Sequence, residues 1–351
     1  MPLLTRIFGG HRDDNAHARP GRALLLTGAL CVTLMAPVLS ACSENTKSAE
    51  PAAPADGGEF PVTITHKLGS TTIPAKPQRV VALGGADADI AVALGVPPVA
   101  VTKYSNGEYA PWLKPEIDTA EVKLIGGGGG EGGADVVSLE QVAALKPDLI
   151  LAGQYFQIDA QYEQLSQIAP TIAYQETQLT DSWEEQTAVI GRALGRPDRA
   201  QEVIAGVKSK IDEVRRAHPE FEGKTASYSF HFAPDSIQTI NSTDDYAAVL
   251  FGGLGLRLSP KVTALEGDQG ARISLEQIET LDADVVILAY ASDNLRPSLE
   301  NNPVFQSVPA VKDGRYVPLG LDAVTALRLP SVLSIPYGLD ELEPGLTKAL
   351  G

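Results

Sequence analysis

A glutamate recurs in the same short motif at two places in the chain. Residues 138–151 read SLEQVAALKPDLIL and residues 274–287 read SLEQIETLDADVVI, so Glu140 and Glu276 hold the same position in each copy, 136 residues apart. The Ser-x-x-Gln spacing is typical of a helix-capping box, which predicts each glutamate in the first turn of a helix with its carboxylate in solvent. There a carboxylate would stabilise the helix dipole by about 0.3–1 kcal/mol. The repeat predicts two lobes built alike, with one exposed acid at the same place on each.

Aromatic and basic residues make up a second candidate set, and they fall on predicted loops. Guanidinium groups bind ligand oxygens through paired hydrogen bonds, and aromatic faces pack on apolar groups. Each tyrosine or phenylalanine could instead belong to the core, whereas an arginine near an apolar run needs a partner. The set indicates ligand binding, and its members are Tyr104, Trp112, Tyr155, Phe230, His231, Arg272, Tyr290 and Arg328.

Residue sets for other chemistries are mostly absent. A bare transition metal would require a cluster of histidines and carboxylates, but His66, His218 and His231 fall in a predicted strand, at a helix end and in a loop. The sequence has no G-x-S-x-G elbow and no cysteine after Cys42,. A secreted hydrolase, the most distant alternative, would need a nucleophile, a base and an orienting group. We therefore expect a binding protein that is not an enzyme and has no metal site of its own.

The first 41 residues are typical of a signal peptide,. Four arginines precede an apolar run at 23–38, which is shorter than the ~20 residues of a membrane-spanning helix,. The run ends in Leu-Ser-Ala-Cys at Cys42, which resembles the lipobox where bacterial lipoproteins are cleaved and acquire a diacylglycerol on the cysteine. An ordinary secreted protein cleaved nearby is the alternative. Residues 42–59, rich in Ala, Pro, Ser and Gly, predict a flexible tether,. We expect the lipid on Cys42 to hold the protein at the outer face of the cytoplasmic membrane, as its only membrane contact.

Composition restricts the partners further. The 351 residues carry 28 Lys and Arg against 44 Asp and Glu, a net charge of −16. Such a chain is not expected to bind nucleic acid or an anionic membrane surface. The two cysteines, Cys31 and Cys42, both lie near the amino terminus and rule out a disulfide framework,.

Beyond the tether, short apolar runs alternate with helical patterns. This alternation predicts an α/β fold whose central, mainly parallel sheets are covered by helices. The longest helical pattern, 198–218, has Pro197 before it and Pro219 after it,. At ~1.5 Å per residue it would span about 31 Å, either on the surface of one domain or as a rod joining two. The body thus divides into two α/β parts, 60–197 and 219–351, on either side of this stretch.

Several further motifs, taken with the lipobox and the tether, resemble those of the substrate-binding lipoproteins of iron-siderophore ABC importers. They are Arg79-Val-Val-Ala-Leu83, Asp87-Ala-Asp-Ile90, Ala93-Leu-Gly-Val-Pro97, Leu145-Lys-Pro-Asp-Leu149 and Val311-Lys-Asp-Gly-Arg315. The resemblance covers residues 60–351. It implies two Rossmann-like lobes, 60–197 and 219–351, bridged by the single long helix 198–218, with the ligand in the cleft between the lobes. Because cobalamin-binding and heme-binding importer subunits share this layout, the motifs specify transport better than they specify the ligand.

The resemblance implies a role for both candidate sets. The ligand would be a ferric siderophore, a bulky, oxygen-rich and often anionic chelate that itself holds the iron, so the protein needs no cofactor. Arginines would bind its oxygens and aromatic residues its apolar parts. Glu140 and Glu276 would meet arginines of the ABC permease, one on each lobe, and so set the orientation and rate of docking. We expect a monomer; heme or cobalamin is the nearer alternative ligand, with His231 or a pocket tyrosine as a heme axial ligand.

Overall fold

The computed structural model describes residues 60–104, 107–126, 136–177, 181–267, 270–292 and 294–351. Within these ranges the chain forms a two-stranded hairpin, two larger sheets and the helices that cover them. Cys42, together with the leader and tether predicted for residues 1–59, lies outside the described residues.

The described ranges contain thirteen β-strands. They are β1 (Val62–His66), β2 (Gly69–Ile73), β3 (Val80–Ala82), β4 (Ala100–Thr102), β5 (Lys123–Ile125), β6 (Leu149–Leu151), β7 (Thr171–Ile172), β8 (Thr225–Ala233), β9 (Ser236–Thr239), β10 (Arg257–Leu258), β11 (Ala271–Ser274), β12 (Val285–Tyr290) and β13 (Tyr316–Leu319).

The same ranges contain twelve α-helices. They are α1 (Gly85–Ala93), α2 (Leu139–Ala144), α3 (Ile158–Ile168), α4 (Trp183–Ala193), α5 (Pro197–Ala217), α6 (Tyr246–Gly253), α7 (Pro260–Thr263), α8 (Leu295–Glu300), α9 (Pro303–Ser307), α10 (Pro309–Lys312), α11 (Leu321–Arg328) and α12 (Ser334–Leu350). Short 3₁₀ helices lie at Lys114–Glu116, Pro219–Phe221 and Leu275–Leu281.

The first large sheet has the strand order β5-β4-β3-β6-β7, and all its neighbouring strands are parallel. Its central strands β3 and β6 are buried along their whole length, because helices cover both faces of the sheet,. We call this sheet and its helices α1 to α4 the N-terminal lobe.

The second large sheet has the order β11-β9-β8-β12-β13, with β10 beside the first residues of β8. Strands β8, β12 and β13 are parallel, whereas β9 is antiparallel to both β8 and β11. The antiparallel part arises because β8 turns back through Pro234 and Asp235, a dipeptide suited to a tight turn, directly into β9,. We call this sheet and helices α6 to α12 the C-terminal lobe. The mixed α/β architecture with parallel central strands is the one that the sequence predicts.

Helix α5 leads from one lobe to the other and covers the predicted stretch 198–218 to within one residue. Pro197 occupies its first position, where the missing N–H costs nothing,. Its buried side is made of Ala200, Ile204, Val207 and Val214, and it packs against α4 of the N-terminal lobe and against α6 and α12 of the C-terminal lobe. The apolar face of one continuous helix is thus shared between the two lobes.

Candidate functional site

Two arginines stack on two phenylalanines at the carboxyl end of β8. Arg328 Cζ lies 4.5 Å from the ring centroid of Phe230, and Arg272 Cζ lies 4.9 Å from that of Phe232. A guanidinium over an aromatic face gains about 0.5–1 kcal/mol at an exposed site. All four residues keep part of their surface in solvent. The stacking therefore holds the guanidinium groups in place while a ligand can still reach them.

Strand pairing aligns part of this group in one row. Arg272 of β11 lies opposite Gln238 of β9, which lies opposite Phe230 of β8. Opposed residues of antiparallel strands point to the same face, so these three side chains share the face of the sheet. Gln238, 8% exposed, is a polar member of the row that the sequence analysis did not single out, because the antiparallel pairing of β9 was not predicted.

A bulge and a helix end complete the group. The register between β8 and β9 shifts between His231 and Ala233, and such a bulge re-aims a side chain, here that of Phe232,. Arg328 comes from the last turn of α11, which follows β13. We call Phe230, Phe232, Gln238, Arg272 and Arg328 the arginine face.

In the N-terminal lobe, Tyr104 and Trp112 follow β4 and pack edge to face, with 5.4 Å between ring centroids. Trp112 also contacts Tyr337 of α12, at 5.5 Å between ring centroids. Its indole Nε1 donates a hydrogen bond to Asp89 Oδ2 at 2.8 Å. Trp112 therefore lies where the two lobes touch, with contacts to both.

Two adjacent aromatic residues after β6 have opposite surroundings. Tyr155 is 3% exposed; its hydroxyl accepts from Val137 N at 3.1 Å and donates to Gln161 Oε1 at 2.6 Å. Phe156, the next residue, is 47% exposed. Because β6 ends at Leu151, Phe156 stands at the carboxyl edge of the first sheet. The structure thus places the exposed aromatic of this loop at Phe156, whereas Tyr155 is part of the core.

His231 and Tyr290 lie on the other face of the second sheet. They are neighbours in the parallel pairing of β8 with β12, and their ring centroids are 5.8 Å apart. His231 is 1% exposed and Tyr290 5%. Burial lowers the pKa of His231 and raises the pKa of Tyr290 to about 12, so both are neutral at pH 7. The Tyr290 hydroxyl is 2.6 Å from that of Tyr316, which makes this pair part of a packed interior cluster.

The two repeated glutamates are exposed and stand at matching edges of the two sheets. The segments carrying them, α2 and the 3₁₀ helix Leu275–Leu281, lead back from the carboxyl edge of each sheet to β6 and β12. Both Glu140 and Glu276 are therefore close to the carboxyl ends of the strands. The two copies differ in helix type, α in the first and 3₁₀ in the second.

The hydrogen bonds at the predicted capping box differ between the two copies. In the first copy Ser138 Oγ accepts from Gln141 N at 3.3 Å and donates to Glu140 Oε2 at 2.7 Å. That hydrogen bond lowers the pKa of Glu140. In the second copy Gln277 Oε1 instead accepts from Ser274 N at 3.2 Å. In each copy a local hydrogen bond anchors the turn that carries the glutamate.

A buried carboxylate holds the turn between β3 and α1. Asp87 is 1% exposed, and its Oδ2 accepts from Gly84 N at 3.1 Å and from Gln154 N at 3.3 Å. Burial raises the pKa of Asp87 to about 6, although these backbone N–H groups oppose the rise. A Cβ at Gly84 would lie 2.5 Å from Asp87 Oδ2 and 2.8 Å from Gln154 Cβ, so this close approach requires glycine.

A second buried carboxylate follows on the same helix. Asp89 is 2% exposed and accepts hydrogen bonds from Trp112 Nε1 and from the hydroxyl of Ser331. Burial raises the pKa of Asp89 to about 7; the two hydrogen bonds oppose the rise and the charge of Asp87 adds to it. Sequence reasoning quoted this Asp-Ala-Asp motif only for its resemblance and gave neither acid a role.

These raised pKa values predict that the contribution of Asp87 and Asp89 to the free energy of unfolding decreases as the pH rises from about 4 to about 7. In that range the folded chain holds protons on Asp87 and Asp89 that the unfolded chain, with an ordinary aspartate value of 3.8, has lost. Each such proton contributes a slope of up to about 1.4 kcal/mol per pH unit. In urea unfolding between pH 6 and 7, the free energy of unfolding of the Asp89→Asn variant should decrease less with rising pH than that of the wild type.

The control for this prediction is Asp148→Asn, which alters a half-buried carboxylate that accepts from Gln78 N and Arg79 N at 2.8 Å each. If Asp89→Asn left the slope between pH 6 and 7 unchanged, or if Asp148→Asn reduced it equally, the assignment of the slope to Asp89 would be wrong.

Within the described residues, no group of three or more His, Cys, Asp or Glu side chains is placed to hold a metal ion. In the same part of the chain, no helix has the length and hydropathy needed to cross a membrane.

Comparison with known proteins decides the family. The family model described as periplasmic binding protein matches residues 80–322, more than half of the chain. The chain belongs to this family.

Proteins similar to this chain include a named sequence and two crystal structures. The sequence is "Probable siderophore-binding lipoprotein YfiY" of Bacillus subtilis, 28% identical over 329 residues, which cover 90% of this chain and 96% of the relative. A periplasmic solute binding protein of Mycobacterium smegmatis has a TM-score of 0.70 at 30% identity, covering 83% of this chain and 99% of the other. PiaA of Streptococcus pneumoniae in complex with ferrichrome has a TM-score of 0.66 at 25% identity, covering 82% and 98%. These similarities confirm the predicted two-lobe α/β fold.

Among the residues predicted to bind ligand in this family member, the structure brings together Phe230, Arg272 and Arg328. Tyr104 and Trp112 form a separate aromatic group in the N-terminal lobe. The remaining predicted residues, Tyr155, His231 and Tyr290, are buried and have core partners. Phe156 and Phe232 lie on the same predicted loops as the selected residues, whereas Gln238 is a candidate that only the structure reveals.

Proposed function

We propose that this chain is the extracytoplasmic binding subunit of an ABC importer and captures a ferric siderophore between its two lobes. The observation that carries the proposal is the arginine face, in a chain whose family includes siderophore-binding relatives. Two guanidinium groups stacked on two rings offer paired N–H donors beside an apolar surface,. A ferric siderophore is a bulky chelate with many oxygens and apolar parts, and it meets both features.

The ligand passes through without chemical change and supplies its own iron coordination. We propose no cofactor besides the lipid on Cys42, which would anchor the chain to the outer face of the cytoplasmic membrane through the tether. The protein would act as a monomer, with the permease as its macromolecular partner and without nucleic acid.

Fluorescence titration tests the ligand proposal. The chain has two tryptophans, Trp112 and Trp183, and Trp112 lies at the contact between the lobes. We expect ferric citrate, ferrichrome or ferric staphyloferrin B to quench the emission with a Kd below about 1 μM, a binding free energy of about −8 kcal/mol. Absence of quenching by every ferric siderophore in such a panel would refute the proposal.

Heme and cobalamin are the competing ligands on the same scaffold. Heme would require an axial side chain, and the predicted candidate His231 is 1% exposed and on the face of the second sheet away from the arginine face. A Soret band in the loaded protein would favour heme, and the cobalamin absorption spectrum would favour cobalamin.

Adjacent residues Tyr155 and Phe156 provide a matched test of which side chain meets the ligand. Phe156→Ala should lower affinity for the quenching ferric siderophore about threefold to tenfold, because an aromatic contact contributes about 0.5–1.5 kcal/mol, and should leave stability within about 0.5 kcal/mol. Tyr155→Phe should leave the affinity for the siderophore unchanged and lower the stability. Loss of its hydroxyl leaves Val137 N without that acceptor, at a cost of about 1–3 kcal/mol in urea unfolding. A loss of affinity in Tyr155→Phe but not in Phe156→Ala would show that the loop assignment is wrong.

We propose further that Glu140 and Glu276 dock the loaded protein on the permease. Both carboxylates are exposed, both stand at the carboxyl edge of a sheet, and each turn is anchored by a local hydrogen bond. One exposed ion pair contributes little affinity. Two acids on separate lobes can nevertheless define orientation and association rate on a basic partner.

A further inference from the structure

Three segments meet at Asp89, two of the N-terminal lobe and one of the C-terminal lobe. Asp89 belongs to α1 of the N-terminal lobe, and its Oδ2 accepts from Trp112 Nε1 at 2.8 Å and from the hydroxyl of Ser331 in the C-terminal lobe. Trp112 in turn packs on Tyr337 of α12. With Asp89 at 2% exposed and Ser331 at 0%, water cannot easily replace these hydrogen bonds.

Ser331 also accepts hydrogen bonds within the C-terminal lobe, at the start of α12. Its Oγ accepts from Leu333 N at 3.2 Å and from Ser334 N at 2.9 Å, at the start of α12. Ser334 Oγ reciprocates by accepting from Ser331 N at 2.8 Å. Because one hydroxyl both donates to Asp89 and accepts from the first amides of the helix, the position of Asp89 is coupled to the start of this 17-residue helix.

Asp87 is the natural comparison for Asp89, because it is a buried acid of the same helix that makes no hydrogen bond to the other lobe. Both acids are on α1, both are at most 2% exposed, and each accepts two hydrogen bonds from the groups described above. All partners of Asp87 belong to the N-terminal lobe, whereas Asp89 also binds Ser331, 242 residues away. The donors to Asp87 are backbone amides of one lobe, whereas the donors to Asp89 are side chains of both lobes.

We propose that Asp89 is a positioning residue that fixes the N-terminal lobe against the start of α12 and thereby sets the orientation of the two lobes relative to each other. Helix α5 alone is a single connection, about which two bodies can rock. The Asp89–Ser331 hydrogen bond lies far from α5 in sequence and restrains that motion. The inference concerns lobe geometry and does not depend on which ligand binds.

A second hydrogen bond joins the lobes independently of Asp89. Tyr246 Oη of α6 donates to Asp181 O in the segment before α4 at 2.6 Å. Because this bond and α5 remain when Asp89 is changed, loss of the Asp89 contact should loosen one region and leave the fold intact.

Hydrogen exchange measured by mass spectrometry on the full chain tests the proposal. In Asp89→Ala, both donors lose their acceptor, and we expect exchange in the segments 107–113 and 331–337 to accelerate at least about tenfold, by local opening. Asp89→Asn should restore slow exchange, since an amide oxygen can accept both bonds. The indole N–H resonance of Trp112, identified by its persistence in Trp183→Phe, should shift in Asp89→Ala and return towards its wild-type position in Asp89→Asn.

Asp87→Ala is the matched control and should accelerate exchange near residues 84–87 and 153–156 only. If Asp89→Ala does not fold, Ser331→Ala removes the hydrogen bond between lobes while Asp89 keeps Trp112, and it should accelerate exchange at 331–337 and around residue 89. The proposal is overturned if exchange at 331–337 is unchanged in the folded variants, or if Asp87→Ala accelerates it to the same extent.

Discussion

Replacing Arg272 and Arg328 together with glutamine should reduce the affinity for an anionic ferric siderophore by at least about 100-fold. Hydrogen bonds to a charged group contribute about 1.5–3 kcal/mol each, so two guanidinium groups account for about 3–6 kcal/mol, and 1.4 kcal/mol corresponds to a factor of ten. Glutamine keeps an amide donor but loses the charge and the paired N–H geometry. The effect should be measured by fluorescence titration with ferric citrate or ferric staphyloferrin B, whichever quenches the wild type.

Two controls separate binding from folding in this experiment. Arg199→Gln removes an exposed arginine of α5 that pairs with Glu202 at 3.0 Å, and it should bind like the wild type. Arg272→Lys keeps the charge and loses the planar fork, so we expect an intermediate affinity. Wild-type affinity in a folded Arg272→Gln, Arg328→Gln variant would remove the arginine face from the ligand site.

Reversing both repeated glutamates, in Glu140→Lys with Glu276→Lys, should abolish siderophore-dependent iron uptake while ligand affinity stays unchanged. Each carboxylate is exposed at the carboxyl edge of its sheet, so the fold should tolerate a lysine there. On the docking proposal, that lysine would meet a basic permease surface with like charge. Uptake of radioactive iron by cells that carry the variant as their only copy is the measurement. Each single reversal should leave partial uptake, because the other lobe still docks.

The control for net charge is Glu163→Lys with Glu279→Lys. Both glutamates are exposed, one on α3 and one in the same 3₁₀ helix as Glu276, and the total charge changes by the same amount. Normal uptake in the Glu140 and Glu276 variant, or equal loss in this control, would argue against docking through the repeat.

The main elements of the fold could be predicted because each has a local signal. The prolines on either side of α5, the 3.6-residue apolar spacing within it and the repeated SLEQ motif are all visible in short windows,. The antiparallel part of the second sheet was missed, although Pro234 and Asp235 mark its turn. As a result, the pairing that places Gln238 beside Arg272 could not be inferred.

Individual site residues were harder to predict, since orientation is decided by packing. Tyr155 and Phe156 are neighbours of similar type, yet the first fills the core and the second faces solvent. The same holds for β8, where Phe230 and His231 necessarily point to opposite faces of the sheet. Sequence spacing could show that one of each pair faces a ligand, but it could not show which one.

The contact between Asp89 and Ser331 shows a different limit. Neither residue has an unusual local pattern, and 242 positions separate them. Only the folded arrangement of α1 beside the start of α12 brings them together. A buried acid within a helical motif was the available signal, and the sequence analysis assigned it to the family resemblance alone.

The most direct test of the central claim is mass spectrometry of the small molecules that copurify with the full chain from iron-starved cultures of its own organism. The account predicts a ferric siderophore, with about one iron per protein and no Soret band. Protein that copurifies instead with heme, with cobalamin or with a ligand that contains no iron-chelating group would contradict it.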